Sequence, residues 1–272
     1  MKNNNLIEWG ISFVVASLSY LIIGPVVYAL LFPFISAFPL SYVSLFIPSI
    51  FTFFILILLK KKRLLDDFSV SKERTFSLPL FFVFLCSSFV FLSVFSLLEG
   101  AKVNPEPMGD KIISLFFSLL FIPIQITVEE YIFRIIPFMA VGLDRLEKKS
   151  NRALLSLVSG LLFTLPHLLN REVWAVGGYW AVIHYFLWGT MTMAGAIISK
   201  GFEFPLAMHL SNNLVVSIVA NYKGSSLSST SFFILENETS SPKAIMTFLL
   251  LFALEFIFFY TLKRRRHSEC QE

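Results

Sequence analysis

Long apolar stretches run through most of this chain, and short polar or charged segments separate them. A helix needs roughly 20 apolar residues to cross the hydrocarbon core of a bilayer. The pattern therefore predicts about eight membrane-spanning helices, at 9–32, 39–59, 78–98, 112–141, 153–170, 178–199, 203–221 and 244–262. The fourth is over-long, and each of its prolines, Pro123 and Pro137, removes one helical hydrogen bond. These features predict an all-α, polytopic membrane bundle that forms a single domain over 1–272.

The lysines and arginines are concentrated on one side of this predicted bundle. With the N terminus inside, the cytoplasmic segments hold 16 of the 22, namely Lys2, Lys60, Lys61, Lys62, Arg63, Lys72, Arg74, Arg145, Lys148, Lys149, Arg152, Lys200, Lys263, Arg264, Arg265 and Arg266. The opposite side holds five, namely Lys102, Lys111, Arg171, Lys223 and Lys243. Because cytoplasmic loops carry the excess of Lys and Arg, this distribution predicts that both termini are cytoplasmic. The Ser- and Thr-rich segment 222–243 is then predicted to be a flexible extracytoplasmic connection.

The composition excludes several classes of protein. Hydrophobic residues make up 56% of the chain and charged residues 15%, whereas soluble domains carry about 25% charged residues. The basic residues that give the net charge of +4 lie beside apolar segments and form no soluble basic domain, which argues against nucleic-acid binding. Membrane lipids are the expected partners, and the run Lys263–Arg266 is expected to bind anionic headgroups. Cys86 and Cys270 are predicted to lie far apart, so no disulfide or thiolate metal site is expected.

Three charged residues lie inside the fourth predicted span. Placing each of Glu129, Glu130 and Arg134 in the membrane costs a few kcal/mol unless the side chain is paired or faces a polar cavity. Insertion scales give about 2.5–3.5 kcal/mol for Arg or Asp at the bilayer centre. Glu130 and Arg134 are four residues apart and share a helix face, which favours a charge-neutralised structural pair. Glu129 points about 100° away on the helix and is left as the candidate reactive carboxylate. The alternative is an ion cluster that only packs helices together.

Two further spans carry a polar residue on the same face as a second side chain four residues away. Phe163 precedes His167, and Pro166 loosens the helix where the imidazole emerges. His209 precedes Asn213, and both side chains can donate hydrogen bonds, as stabilisation of an oxyanion requires. Each pair has a simpler interpretation as interhelical packing or hydrogen bonding. Aligned midpoints of the three spans place Glu129, His167 and His209 within about 12 Å in depth, which is compatible with one site.

Other polar residues in the predicted spans have weaker signals. His184 is interpreted as a packing or interfacial residue, with the lining of a substrate cavity as the functional alternative. Glu255 is an isolated intramembrane acid without an assignable partner. The serines near the motifs are expected to pack helices rather than act as nucleophiles; they are Ser156, Ser159 and Ser211.

The three motifs, Glu129-Glu130-x-x-x-Arg134, Phe163-x-x-x-His167 and His209-x-x-x-Asn213, occur in this order. The region 125–215 thereby resembles the CPBP family of intramembrane endopeptidases, which includes CAAX proteases and bacteriocin-processing (Abi) proteins. Ile135 follows Arg134, where many bacterial members carry Gly, and a packing difference is expected there. The resemblance implies a catalytic core at about 112–221, with peripheral helices at 9–98 and 244–262.

The resemblance also implies roles for the motif residues. Glu129 and His167 would activate a water for attack on a peptide carbonyl, and His209 and Asn213 would hold the oxyanion. Glu130, Arg134 and Phe163 would support the site. The implied substrate is a prenylated CAAX-type tail or a peptide precursor, and the implied location is a bacterial or archaeal cell membrane. No cofactor is expected.

Three alternatives remain open at this level. A non-proteolytic bacteriocin-immunity or scaffold protein could keep the same fold. A cation-coupled transporter could use the same polar residues as a relay, although no inverted repeat or paired broken helices are visible. Glu129 with the two histidines could also hold zinc with an open position, but no His-Glu-x-x-His motif occurs, and a metal-free mechanism is favoured. The sequence indicates neither the substrate nor the oligomeric state.

Overall fold

A computed structural model describes residues 4–23, 25–27, 29–30, 40–60, 76–175, 178–227, 229–236 and 242–269. Cys270 lies outside these ranges. The described residues form an all-α bundle. Its helices are α1 (Asn4–Leu18), α2 (Leu40–Lys60), α3 (Leu78–Leu98), α4 (Met108–Glu130), α5 (Ile136–Val141), α6 (Lys149–His167), α7 (Tyr179–Ser199), α8 (Glu203–Leu214) and α9 (Pro242–Glu269).

Three π-helical turns extend these helices, at Ser19–Ile23 after α1, Tyr131–Ile135 between α4 and α5, and Val215–Val219 after α8. The second turn joins α4 and α5 into one 34-residue apolar segment, Met108–Val141. Pro123 lies within α4 without ending it, and the π-helical turn follows directly after the acidic pair. π-helical turns inside α-helices are frequent at functional sites.

Four helices within the described ranges are long and apolar enough to cross a membrane: Ile7–Val27, Leu78–Leu98, Met108–Val141 and Tyr179–Ser199. The chain is therefore an integral membrane protein with an all-α fold. Three of the other predicted spans differ in length from the prediction. Helix α6 ends at His167 instead of 170, α8 has only 12 residues before its π-helical turn, and α9 runs from Pro242 to Glu269.

Helices α6 and α7 pack closely because glycines lie at their crossing. A Cβ atom added to Gly189 would lie 2.8 Å from the Cα of Gly160 and 2.8 Å from the Cβ of Phe163. A Cβ added to Gly160 would lie 2.1 Å from the Thr190 hydroxyl. Small residues at such contacts let helix backbones approach one another in a membrane. This close approach places Phe163 and the end of α6 against α7.

A densely packed apolar layer fills the bundle at the end where α5 ends and α8 begins. We call it the apolar plug. Its members are all buried, with at most 3% of their surface exposed; they are Ile135, Ile136, Phe138, Met193, Ala196, Phe202, Phe204, Ala207 and Met208. The Phe138 and Phe202 rings meet edge to face with centroids 5.4 Å apart, a favoured aromatic geometry.

The opposite end of the bundle carries a small sheet that the sequence pattern did not predict. Strand β3 (Phe233–Leu235) lies between β1 (Lys102–Val103), which is antiparallel to it, and β2 (Ala220–Tyr222), which is parallel. Serines fix the segment that was predicted to be a flexible loop. The Ser231 hydroxyl accepts from the Asn221 amide at 2.9 Å and donates to the Phe233 carbonyl at 2.5 Å. Its residues 222–227 and 229–235 therefore contain ordered structure.

Candidate active site

A cavity of about 330 Å³ lies between the apolar plug and the small sheet. Glu129, Phe163, His167, His209 and Asn213 all line it, and they come from α4, α6 and α8. The structure thus brings together five of the seven residues singled out from the motifs. The other two, Glu130 and Arg134, have no exposed surface and lie behind the cavity wall.

Glu129 presents its two carboxylate oxygens to different surroundings. Its Oε1 accepts a hydrogen bond from the Tyr20 hydroxyl at 2.6 Å and another from the Gln125 amide at 2.9 Å. Its Oε2 lies 3.7 Å from Nε2 of His209, too far for a hydrogen bond. The two donors therefore fix the carboxylate through Oε1 and leave Oε2 as the oxygen able to bind a molecule in the cavity.

Glu130 and Arg134 form a buried ion pair that holds three helices together. Nη1 of Arg134 donates to Oε1 of Glu130, and Nε of Arg134 donates to the Thr192 hydroxyl of α7 at 2.9 Å. The guanidinium carbon also lies 4.5 Å from the centre of the Phe163 ring, in cation–π geometry. Phe163 is therefore part of the support for the charged pair, as well as a wall of the cavity.

His167 is held by two aromatic rings and at one nitrogen. Its ring packs against Phe163 and Tyr185, with centroid distances of 4.3 and 4.4 Å. Nδ1 is 2.6 Å from the Phe163 carbonyl, and because a carbonyl can only accept, Nδ1 carries the proton. In the neutral imidazole Nε2 is then free to accept a hydrogen bond.

His209 lies between the two glutamates. Its Nδ1 donates to Oε1 of Glu130 at 2.7 Å, so the same carboxylate oxygen accepts from both Arg134 and His209. This contact turns Nε2 toward Glu129. One helical turn later, Oδ1 of Asn213 accepts from the Asn212 side chain at 3.1 Å, which leaves the Asn213 amide nitrogen to donate.

The structure also gives partners for the remaining polar residues. His184 lines the cavity and stacks on Trp188 with centroids 5.6 Å apart, so packing and cavity lining both apply. Glu255, on α9, accepts from the Ser87 and Ser88 hydroxyls of α3 at 2.7 and 3.0 Å. Each of the three serines near the motifs donates to a backbone carbonyl, as expected of packing residues: Ser156 to Arg152, Ser159 to Phe133 and Ser211 to Leu85.

Several residues around the cavity were missed by the sequence argument. Gln125 carried a usable signal, because it is a polar residue one turn before Glu129 in an apolar span. Tyr20 and Tyr185 carried none, since tyrosine is common near membrane interfaces. Glu172 lies in a connecting segment and accepts from the Tyr185 hydroxyl at 2.5 Å and from the Ser226 hydroxyl at 2.5 Å. It links the end of α6, the start of α7 and the segment after β2.

The acidic and imidazole groups of the site do not form a metal-binding cluster. Across the described ranges, no three His, Cys, Asp or Glu side chains are grouped closely enough to bind one ion. What the arrangement offers is a fixed carboxylate, an imidazole acceptor and an amide donor around one polar cavity. General-base catalysis of an addition to a carbonyl requires groups of these kinds.

Residues 110–215 match the family model described as Rce1-like, type II CAAX prenyl endopeptidase. This segment is therefore similar to the CAAX protease family. The matched segment contains all three motifs and ends just after Asn213. No curated protein and no solved structure matched the chain.

This similarity agrees with the membrane character of the chain. CAAX proteases are intramembrane peptidases, and the apolar helices of this chain indicate an integral membrane protein. The matched segment does not include the π-helical turn after α1, which supplies Tyr20, or α9, which supplies part of the cavity wall. Segments outside the match therefore also contact the site.

Proposed function

We propose that the chain is a glutamate-dependent endopeptidase that hydrolyses a peptide bond of a membrane-associated substrate. The observation that carries the proposal is the asymmetric environment of Glu129. One carboxylate oxygen is held by Tyr20 and Gln125, and the other is free beside His209, within the cavity that His167 also lines. A packing residue would have no need of a free oxygen in a polar cavity.

In the proposed reaction, Oε2 of Glu129 and Nε2 of His167 bind one water and take its proton as its oxygen attacks the peptide carbonyl. The negative charge that develops on the carbonyl oxygen is stabilised by donors, the Asn213 amide and Nε2 of His209. For Nε2 to donate, the His209 ring must carry both protons, and Glu130 supplies the counter-charge at Nδ1. The tetrahedral intermediate then loses the amine, which receives the proton from the Glu129–His167 pair. No covalent enzyme intermediate and no metal take part.

Glu130 and Arg134 act indirectly in this proposal. Their ion pair orients His209 through Oε1 of Glu130, and Arg134 fixes the wall of the cavity through Thr192 and Phe163. The substrate is either a prenylated CAAX-type tail or a peptide precursor. The topology proposed with this function is a single multi-pass domain of about eight membrane crossings with both termini in the cytoplasm of a bacterium or archaeon.

The test of the function is hydrolysis by the purified protein in liposomes. The probe is a mixture of synthetic peptides in H₂¹⁸O, and mass spectrometry of new carboxyl termini detects one ¹⁸O per cleaved bond. We expect cleavage by the wild-type chain, also after chelator treatment, and loss of cleavage in Glu129→Ala, His167→Ala and His209→Ala. If all three variants cleave at the wild-type rate, the assignment is wrong. Cleavage that a chelator abolishes would overturn the metal-free mechanism.

Tyr20→Phe should lower kcat about tenfold or more and change KM little, since a hydrogen bond to a charged group is worth about 1.5–3 kcal/mol. The phenylalanine keeps the ring packing of Tyr20 but cannot donate to Oε1 of Glu129. Tyr179→Phe is the matched control, because Tyr179 is 62% exposed and lies outside the cavity wall. An unchanged kcat in Tyr20→Phe would show that the hydroxyl does not position the base.

A further inference from the structure

Every helix that contributes to the cavity wall, except α4, does so with the residues nearest to one end of the bundle, the end that carries the small sheet. Helix α3 contributes only its last turns, with Leu92, Phe95 and Ser96, and α6 also contributes its last turn. Helix α9 runs in the opposite direction and contributes only its first two turns, with Ala244 and Phe248. The connecting segments at this end complete the wall. The cavity therefore extends from the level of Glu129 toward the end that carries the small sheet.

The other end of the bundle is closed below the site. Along the chain, plug residues lie beyond the cavity-lining residues in the direction of this end. Phe138 comes after Glu129, Met193 and Ala196 come after Trp188 in α7, and Ala207 and Met208 come before His209. All five of these plug residues are at most 1% exposed. A peptide could not reach Glu129 from that end without displacing the plug, and the loss of such packing costs several kcal/mol, about 2–5 for a single large buried side chain.

Basic residues mark the plugged end as the cytoplasmic end. Arg145, Lys148, Lys149 and Arg152 lie between α5 and the first turn of α6, and Lys200 lies between α7 and α8. The C-terminal half of α9, which ends at the same side, carries the run 263–266. In the topology predicted from the sequence, 16 of the 22 Lys and Arg belong to the cytoplasmic segments and five to the opposite side. Short cytoplasmic loops are the ones that carry such an excess.

We infer that the catalytic cavity opens on the extracytoplasmic side of the membrane, and that its substrate is a polypeptide segment exposed there. Such a segment belongs to an exported peptide or to the outer part of a membrane-anchored protein. The inference rests on the proposed function for the reaction itself, and it selects the peptide precursor over a tail that is lipidated and presented in the cytoplasm.

The chemistry of the cavity at this end suits a peptide backbone. Asn170, Glu172, Tyr222 and Ser226 line it, and they combine hydrogen-bond donors with acceptors. Several of their groups already bond one another: Ser226 and Tyr185 donate to Glu172, and Asn170 donates to the Tyr185 hydroxyl at 2.9 Å. An entering peptide would exchange its hydrogen bonds with water for bonds to this fixed polar wall.

The first test is the orientation of the full chain in intact bacterial cells, in a background with Cys86→Ser and Cys270→Ser. Single variants Glu236→Cys, next to β3, and Lys149→Cys, at the start of α6, place one exposed thiol at each end. We expect a membrane-impermeant maleimide to label Glu236→Cys in intact cells and Lys149→Cys only after permeabilisation. The reverse pattern would overturn the inference.

The second test is access to the cavity itself. Ser96→Cys places a thiol on the cavity wall, and Ser93→Cys places one on the same helix outside that wall. We expect a small impermeant cationic thiosulfonate, added outside, to modify Ser96→Cys at least about tenfold faster than Ser93→Cys. The reason is that the Ser93→Cys thiol lies in apolar packing, where a thiol ionises poorly. Equal rates, or faster modification of Ser96→Cys from the cytoplasmic side, would overturn the inference.

Neither labelling test depends on proteolysis. Loss of the proposed function would appear in the ¹⁸O assay with both labelling results unchanged, whereas a wrong orientation would appear in the labelling with hydrolysis intact. The two tests also connect to the reaction: modification of Ser96→Cys from outside should block cleavage of water-soluble peptides added outside intact cells. Unimpaired cleavage in the modified variant would also contradict the inference.

Discussion

Glu129→Gln should lower the rate of peptide hydrolysis by about 10²–10⁴-fold, the usual contribution of a general base. The substitution is almost isosteric, and the glutamine carbonyl can still accept from Tyr20 and Gln125, as Oε1 of Glu129 does. Only the free carboxylate oxygen is replaced, by an amide nitrogen that cannot take a proton from water. The expected result is therefore a loss of kcat in a protein that folds normally, measured with the ¹⁸O assay and by thermal unfolding in detergent.

Glu255→Gln is the matched control for this prediction. Glu255 is also a buried glutamate in an apolar helix, but it is bound by Ser87 and Ser88 and does not line the cavity. Its variant should hydrolyse peptides at close to the wild-type rate. A Glu129→Gln variant that is as active as Glu255→Gln would remove Glu129 from the mechanism.

The helical architecture was largely predictable because its cause is local. In a bilayer every backbone polar group must be bonded within the structure, so a long apolar run becomes a helix. The segment 112–141 illustrates this: it was predicted to be one over-long helix, and it lies within the continuous segment Met108–Val141. Helix α8 differs, with 12 residues where 203–221 was predicted, and β2 begins at Ala220. The count of eight crossings stays a prediction.

The candidate site was partly predictable, because charged and polar side chains in an apolar span are conspicuous. Glu129, His167 and His209 were selected for this reason, and the segment that matches the family model contains all three. The partners of these residues were not predictable. The phenol beside Glu129 comes from the π-helical turn after α1, and nothing in the residues around Tyr20 specifies that contact.

The ordered wall at the small sheet shows the same limit in a different form. The segment after β2 contains many serines, a composition typical of flexible connections, and it was interpreted in that way. In the structure Ser226 donates to Glu172, which lies more than fifty residues earlier in the chain, and Ser231 bridges β2 and β3. Serine stabilises structure there only because distant partners lie within hydrogen-bond reach, and short-range pattern carries no information about them.

Arg134→Leu should lower the free energy of unfolding by about 3–5 kcal/mol, the usual cost of removing one partner of a buried ion pair. Both side chains of the pair are fully buried, so the Glu130 carboxylate would lose its main counter-charge in a region that water does not reach. The measurement is thermal or denaturant unfolding in detergent. Lys102→Met is the control, because the Lys102–Glu236 pair is about two-thirds exposed and such pairs contribute about 0–1 kcal/mol.

The double variant Glu130→Gln with Arg134→Met separates stability from catalysis. It removes both buried charges together, so much of the stability lost in Arg134→Leu should return, as it does when buried pairs are replaced by neutral groups. Hydrolysis should stay well below the wild-type rate, because the glutamine carbonyl can still accept from Nδ1 of His209 but no longer supplies the counter-charge of the doubly protonated ring. Recovery of both stability and rate would mean that the pair only holds helices together. Recovery of stability alone would place Glu130 in the support of the catalytic histidine, a role that neither single substitution can isolate.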